Sequence, residues 1–547
     1  MTVDNARQKK SSSLTRGVIC LVLSVLFAAA ALIVAFFFKK EDAHSAGQSR
    51  ENVCPTVNIT TYKPNGEHYG NELSLEDGYV PARVVIEDES GITVADDPQS
   101  RIKVRGNTTA FGAKKPYTIN LDSAKNLFAM GGSSKWVLLA DYYDPTLMRN
   151  AVALKLAHDM GFEAPEYKRA EVWVDGEYKG LYLFTEAVEK GKNRLDISTG
   201  KGDFLIETDS PLREEEESTY FYSGDFYYRL REPEKVSSAE LDMIESRVCD
   251  IENVLVSGDY EQVKKELDIP SFVDYYILNE LLCPGDFANL SVFFYQKDGI
   301  LCAGPAWDYD LSQGNLNGYC SEAYETALQT DKPFALYCNY YRYLFRYPEF
   351  RKEVSSEYER LNADGVFAFL AGEDDWIVNE KEKYREAIDR NYNLTGVAAG
   401  FCGYNRVPSG DYDAELDYLR GWLKARKAWM DGFVKKLNDP GFDVSAGPDF
   451  YATTDEGPDA TVTIYGYVNP NSGDHFYTGS AVERAVLEAA GWISDGEPFD
   501  TPALSDKPVY RLYNEETGLH YYTDDEGERK DLSESGWKDE GIGWYSY

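Results

Sequence analysis

No two cysteines of this 547-residue chain are separated by two residues, so the CxxC pairs from which structural zinc sites are built are missing. Eight cysteines are scattered along the chain; with Cys20 inside an apolar run, the remaining seven leave at least one thiol unpaired, and their spacing fixes no connectivity. Positive charge is also short: 56 Lys and Arg stand against 93 Asp and Glu, for a formal net charge of −37. Phosphate backbones are bound by clustered Lys and Arg that release counterions, so nucleic acid is excluded as a partner, and the acidity reads as a solvated, aggregation-resistant surface. Histidine is rare, five in all. Nor is there a Walker phosphate loop.

The run 18–38 is apolar apart from Ser24, and roughly 20 such residues in a helix span a bilayer core. Arg7, Lys9, Lys10 and Arg16 precede it with Asp4 alone to oppose them, which expects a cytoplasmic tail (1–17), a single-pass helix (18–38), a juxtamembrane linker (39–52) and an extracytoplasmic bulk. Sequons at Asn58, Asn107, Asn289 and Asn393 matter only in a secretory pathway that glycosylates.

Beyond the linker, residues 84–87, 102–104, 117–121, 136–140, 172–174 and 181–184 are short apolar or alternating runs punctuated by Gly, Asn and Asp, as strands are. Residues 145–160 have the spacing of an amphipathic helix ended by Gly161. A helix is expected over 271–283, stopped by Pro284-Gly285, followed by a hairpin (292–296 and 300–303) turning on Asp298-Gly299. Helical patterning dominates 340–437, and the Gly- and Pro-bearing segment 438–460 reads as a linker. Residues 461–547 are an internal duplication: Tyr465, His475, Arg484, Leu487 and Trp492 recur as Tyr510, His520, Arg529, Leu532 and Trp537, each pair offset by 520 − 475 = 45 residues. His475 and His520 therefore serve the repeat fold rather than catalysis.

The strongest chemical signal is the acidic loop Pro305-Ala306-Trp307-Asp308-Tyr309-Asp310, which directly follows the hairpin. Two carboxylates there can serve a hard cation, since Mg²⁺ sites need one or two carboxylates and fill the rest with water and phosphate. Upstream, Asp286 and Asn289 follow the helix stop. In phosphoryl transfer an Asp can accept the nucleophile's proton, a following Asn can hold metal, and a second metal carboxylate arrives after a short hairpin. The small-residue loop Arg105-Gly106-Asn107-Thr108 leads to Lys114-Lys115, where backbone N–H groups can approach phosphate and a Lys can pair with it. Thr185-Glu186 ends a strand and can offer backbone groups to a base. Glu207 and Asp209 share one face of a strand, as the acid and base of a glycosidase would.

Taken together, Arg105-Gly106-Asn107, Lys114-Lys115-Pro116-Tyr117, the stretch from Trp136 through Asp141 to Asn150, Thr185-Glu186, Asp286 with Asn289, and the loop 305–314 resemble the spore coat protein H (CotH) kinase family over about residues 53–437. The resemblance implies an α+β, atypical protein-kinase-like two-lobed domain, here with one amino-terminal transmembrane helix and a small carboxy-terminal α+β repeat domain. It implies ATP and Mg²⁺ (or Mn²⁺), Asp286 as catalytic acid-loop residue, Asn289, Asp308 and Asp310 as metal ligands, and Lys115 as the phosphate-facing lysine. Arg105, Asn107, Lys114, Thr185 and Glu186 would complete the nucleotide contacts. The duplication resembles repeats of bacterial surface proteins, which implies wall or carbohydrate attachment through 461–547. The expected function is a membrane-anchored kinase acting on Ser or Thr of surface or secreted proteins. The competing reading is a non-catalytic adhesion or scaffold protein.

Overall fold

The computed structural model describes residues 54–547 apart from 107, 211–217, 225, 319, 395–399, 401–402, 445–446, 449, 451–460, 480–483, 485–486, 488–490, 497, 503–506, 515–516 and 547. Strands β1 (Thr56–Thr61), β2 (Val80–Glu87), β3 (Thr93–Val104), β4 (Tyr117–Asn126) and β5 (Gly132–Leu139) precede helix α1 (Arg149–Met160), and β6 (Tyr167–Val174) and β7 (Glu177–Glu186) follow it. They close as a barrel in the order β1-β2-β3-β4-β5-β7-β6. Closure comes from β1 running parallel to β6, with Val57 opposite Val172. Alternation along β2 shows why: Val80, Ala82, Val84 and Ile86 are buried while Pro81 and Arg83 face out. Ile59, Ile102, Ile119, Trp136, Leu138, Val174 and Phe184 fill the same interior, as a barrel of this size requires.

Helix α1 starts at Arg149, four residues later than the apolar spacing suggests. The Asp144 carboxylate accepts from the backbone N–H of Thr146, Met148 and Arg149 at 2.8–2.9 Å, which holds the preceding residues as a turn and satisfies donors that a helix start leaves unpaired.

Beside the barrel lies a five-stranded sheet in the order β12-β11-β8-β10-β9, made of β8 (Phe204–Thr208), β9 (Thr219–Ser223), β10 (Phe226–Glu232), β11 (Phe293–Lys297) and β12 (Ile300–Ala303). The β11–β12 turn places Asp298 at φ 50° and Gly299 at φ 85°, the left-handed pair that tight hairpins favour. Between β10 and β11 come α2 (Ser238–Ser257), α3 (Tyr260–Glu266) and α4 (Ile269–Leu282). After β12 follow α5 (Glu322–Leu328), α6 (Tyr341–Leu344), α7 (Pro348–Ala363), α8 (Ala368–Ala371), α9 (Trp376–Tyr392) and α10 (Tyr412–Lys436). Helix α4 is apolar on nearly every side and forms the middle of the large core. Its buried Glu280 pairs with the equally buried Arg426 of α10, and Glu280 also accepts from Phe334 N–H at 2.8 Å.

The first repeat is built from β13 (Thr461–Val468), β14 (His475–Thr478), β15 (Ile493–Ser494) and β16 (Phe499–Pro502), and the second from β17 (Pro508–Asn514), β18 (Leu519–Thr523), α11 (Glu526–Glu534) and β19 (Lys538–Tyr545). Equivalent residues make equivalent contacts: Arg484 covers the Tyr465 ring at 3.9 Å and Arg529 covers Tyr510 at 4.2 Å. His520 meets Asp474 of the first repeat at 2.7 Å, and the Tyr522 hydroxyl accepts from Tyr477 N–H of the first repeat at 2.9 Å. Both histidines thus sit in carboxylate pairs within this fold.

The two-lobed, membrane-spanning architecture is corrected. The body is a mixed α+β chain with a closed seven-stranded barrel, without a two-lobed kinase division among the described residues. Among those residues no helix is long and apolar enough to cross a membrane. The most apolar, α4, has 14 residues, about 21 Å at 1.5 Å per residue against a hydrocarbon core of about 30 Å. The longest, α10, carries Asp, Glu, Lys and Arg on its outward side. The expected tail, span (18–38) and juxtamembrane linker lie outside the described residues, and the expected membrane-anchored, extracytoplasmic localisation is corrected with the architecture, since the described residues hold no spanning helix. Cys54, Cys249, Cys283, Cys302 and Cys338 hold free thiols; Cys402 is not among the described residues.

Candidate active site

A cavity of about 900 Å³ opens where the barrel meets the five-stranded sheet and the acidic loop. The barrel contributes Lys103, Arg105, Gly106 and Thr108 from the end of β3, and Lys135 and Asp141 from β5 and just past it. The sheet contributes Glu207, Arg229 and Arg231, and the opposite wall contributes Asp286, Ser291, Trp307, Asp308, Asp310 and Tyr324.

The acidic loop is held from below by α1. Asn150 bridges two walls: its amide donates to Asp141 at 2.8 Å and its carbonyl oxygen accepts from Tyr309 N–H at 2.8 Å. Tyr309 is flanked by Asp308 and Asp310, so this one side chain fixes the peptide from which both carboxylates hang. Arg149, fully buried, pairs with buried Asp144 at 2.5 Å and donates to Ser312 O at 3.1 Å. Gln313 donates to Arg149 O at 3.0 Å, and Asn315 donates to Tyr143 O and Asp310 O, both at 2.8 Å. From α4, Leu282 O accepts from Gln313 N–H at 2.7 Å, while Leu311 O accepts from Gly285 N–H at 3.0 Å. Asp141, Cys283, Ser291, Asp308 and Gln313 all take left-handed backbone conformations, with φ between 45° and 68°. Each costs about 1–2 kcal/mol in a residue with a Cβ, and such strain collects where side chains are aimed rather than merely packed.

Burial comes first in the electrostatics of these carboxylates, with like charges adding to it at Asp310 and Asp141. Burial and the charges of Asp308, Asp141, Asp286 and Asp144 push the Asp310 carboxyl well above the usual carboxylate range. Asp141 is raised to about 6 by burial and Asp144, against the pull of Asn150 and Lys114. Glu207 is raised by burial although Arg231 donates to it at 3.1 Å. The cations of the cavity sit on the facing walls: the Arg105 guanidinium lies 5.3 Å from the Trp307 ring centroid, Arg229 donates to Ser218 at 2.7 Å, and Lys135 stands 3.5 Å from Glu234.

Of the residues singled out in the sequence, Arg105, Glu207, Asp286, Asp308 and Asp310 come together on this cavity. Asn107 lies outside the described residues. Lys114 is buried behind the wall, where it donates to Leu181 O and covers the Tyr182 ring at 4.6 Å; burial lowers it to about 7. Lys115 donates to Leu73 O at 2.6 Å and is lowered by partial burial. Neither lysine lines the cavity. Thr185 and Glu186 are buried on β7, the first donating to Glu166 O at 2.9 Å and the second 3.3 Å from Arg194. Asn289 is exposed and off the cavity wall, and Asp209 is also off it. Among the described residues, no three His, Cys, Asp or Glu side chains are grouped closely enough to hold an ion by themselves. Sequence reasoning did not assign roles to Asp141, Asn150 or Tyr324. Asp141 and Asn150 were visible as ends of the Trp136–Asn150 landmark, whereas Tyr324 gave no signal.

The family described as CotH kinase protein matches this chain over residues 102–430, and a domain of unknown function (DUF5648) matches 434–547. The chain is 25% identical over 222 residues to the inner spore coat protein H of Bacillus subtilis (strain 168), a stretch covering 39% of this chain and 58% of that protein. Among solved structures, the HipA–HipB toxin–antitoxin complex with its operator DNA from Shewanella oneidensis MR-1 aligns at 15% identity and a TM-score of 0.26, covering 56% of this chain and 62% of that one.

Proposed function

This chain belongs to the CotH kinase family, and from that membership we propose that it transfers the γ-phosphoryl group of ATP to a Ser or Thr hydroxyl of a protein, in the cavity described above. The family supports a kinase-like activity and ATP as donor; acceptor, metal and residue roles are our reading. The observation that carries it is the convergence of Arg105, Asp286 and the loop pair Asp308 and Asp310, from three separate stretches of sequence, on one cavity with cations on its facing walls.

In this reading Asp286 takes the proton of the acceptor hydroxyl as its oxygen bonds to the γ-phosphorus. The bond from that phosphorus to the bridging oxygen breaks, and ADP leaves. Little covalent work falls to the protein, and the rate comes from positioning and charge neutralisation. Arg105, Lys103, Arg229 and Arg231 are the cations placed to meet the phosphates, in the role the sequence suggested for Lys115. The hard oxygen donors Asp308 and Asp310 fit Mg²⁺ or Mn²⁺. That the carboxylates do not form a complete cage suits an ion that keeps water and takes phosphate oxygens as its remaining ligands. When bound, such an ion would neutralise charge developing between the phosphates. The upward push that burial and neighbouring carboxylates give the Asp310 carboxyl fits as well, since a cation bound there would favour its ionised form.

The test is incubation of the full chain with γ-labelled ATP, Mg²⁺ or Mn²⁺ and casein as a Ser/Thr acceptor. Label should appear on Ser or Thr, and Asp308→Ala should remove it. Absence of both nucleotide binding and transfer in the folded protein would refute the reading.

A further inference from the structure

A general base must be ionised to accept a proton, yet Asp286 shares its cavity with Asp141, Asp308 and Asp310, and like charges favour the protonated form. One partner of its carboxylate is a phenol: the Tyr324 hydroxyl donates to Asp286 Oδ1 at 2.5 Å. Such a charge-assisted O–H···O⁻ bond is short and strong, and it favours the ionised acid.

The phenol is held by construction. Tyr324 lies on α5, where its own N–H donates to the Ser321 hydroxyl at 3.2 Å. The far end of α5 is tied down by Trp422, whose indole N–H donates to Leu328 O at 3.1 Å. The ring packs beside the backbone next to the base: a Cβ at Gly285 would stand 2.8 Å from Leu316 Cδ2, 2.9 Å from Tyr324 Cε2 and 3.0 Å from Tyr324 Cζ. Glycine at 285 is therefore what lets the ring reach Asp286. Tyr404 sits on the other side of the ring at 6.2 Å. Among the described residues, the charged groups that share the cavity with the base include Asp308 and Asp310 from the acidic loop, Asp141 and Lys135 from the barrel side, Glu207 from the sheet, and Lys103, Arg105, Arg229 and Arg231 on the facing walls.

We infer that Tyr324 is the positioning residue of this site: its hydroxyl anchors one oxygen of Asp286, sets the direction in which the carboxylate meets the acceptor hydroxyl, and keeps it ionised among neighbouring carboxylates. This rests on the kinase reading for the role of Asp286, but the hydrogen bond itself can be tested without turnover.

The experiment compares the full-length wild type with Tyr324→Phe and Gly285→Ala, the second chosen because its added methyl displaces the ring while keeping the phenol. Two quantities are read: the acid limb of kcat/KM for phosphoryl transfer, and the Asp286 carboxyl titration by ¹³C-aspartate NMR, assigned with Asp286→Asn. In both variants the carboxyl titration and the acid limb move to higher pH by about one unit, and kcat falls about tenfold while KM for ATP holds. If the wild type transfers no phosphate, the kinase reading fails, and the carboxyl titration still decides the role of the phenol. An Asp286 titration unchanged in Tyr324→Phe, with the fold intact by circular dichroism, overturns the inference.

Discussion

Replacing Arg149 with Met tests whether the acidic loop is held in place from α1. Arg149 and Asp144 are both fully buried and pair at 2.5 Å. Removing one partner of a buried ion pair leaves the other charge without compensation, at a cost of about 3–5 kcal/mol. Asp144 retains backbone donors from Thr146, Met148 and Arg149 and the Thr146 hydroxyl at 2.7 Å, so the lower end, about 3 kcal/mol, applies. Ser312 O also loses the Arg149 Nε donor, adding about 1 kcal/mol. The expected loss is thus about 4 kcal/mol, a large share of the 5–15 kcal/mol typical of a domain. Urea unfolding followed by intrinsic fluorescence measures it, read on the transition that persists when the repeats are removed, since chains of several domains need not unfold in one step. The double variant Asp144→Asn/Arg149→Met should recover about 1–3 kcal/mol, because it removes the stranded charge too. A loss below about 1 kcal/mol for Arg149→Met, or no recovery in the double variant, would refute the argument.

Two further outcomes follow from the same geometry. Asn150→Ala strips the acceptor from Tyr309 N–H and the donor from Asp141; it should cost about 1–3 kcal/mol and lower kcat more than it raises KM for ATP, and equal effects on both would show that the bridge does not aim the carboxylates. Lys114 is held near 7, below its ordinary 10.5, so between those values the unfolded chain binds a proton that the folded chain does not. Stability from this site is therefore depressed below pH 7 and rises with pH through the window. The difference in unfolding free energy between wild type and Lys114→Met should increase from pH 7 to pH 10, and a flat or falling difference would contradict the burial argument.

How far the sequence went is clearest at particular residues. The alternation at 84–87 and 102–104, the Asp298-Gly299 turn and the apolar helix ending at Pro284 were readable because each follows from neighbours a few positions away. The 45-residue repeat was readable from self-similarity, and its paired contacts, Arg484 on Tyr465 and Arg529 on Tyr510, match the offset. Barrel closure was not readable, since Val57 meets Val172 across a long separation that no local period encodes. Lys114 and Lys115 precede β4 rather than lying on it, so strand alternation did not say which way either points; one turns under β7 and the other to the loop at Leu73. Thr185 and Glu186 do end β7, but that end is buried, with Thr185 bonded to Glu166 O and Glu186 beside Arg194 rather than open to the cavity. The membrane-spanning, two-lobed architecture came from one apolar run and an implied kinase shape, and the described chain shows a barrel and no spanning helix instead. The acidic positions were legible because carboxylates placed just after a helix stop and just after a hairpin have few structural reasons to be there.

The most direct measurement is a crystal structure of the full chain with a non-hydrolysable ATP analogue and Mn²⁺, with anomalous data at the manganese edge. The account predicts a manganese peak against Asp308 and Asp310, with the γ-phosphate between it and Asp286 and the phosphate chain running towards Arg105. Nucleotide and metal bound elsewhere, or a cavity that remains empty at saturating concentrations of both, would contradict it.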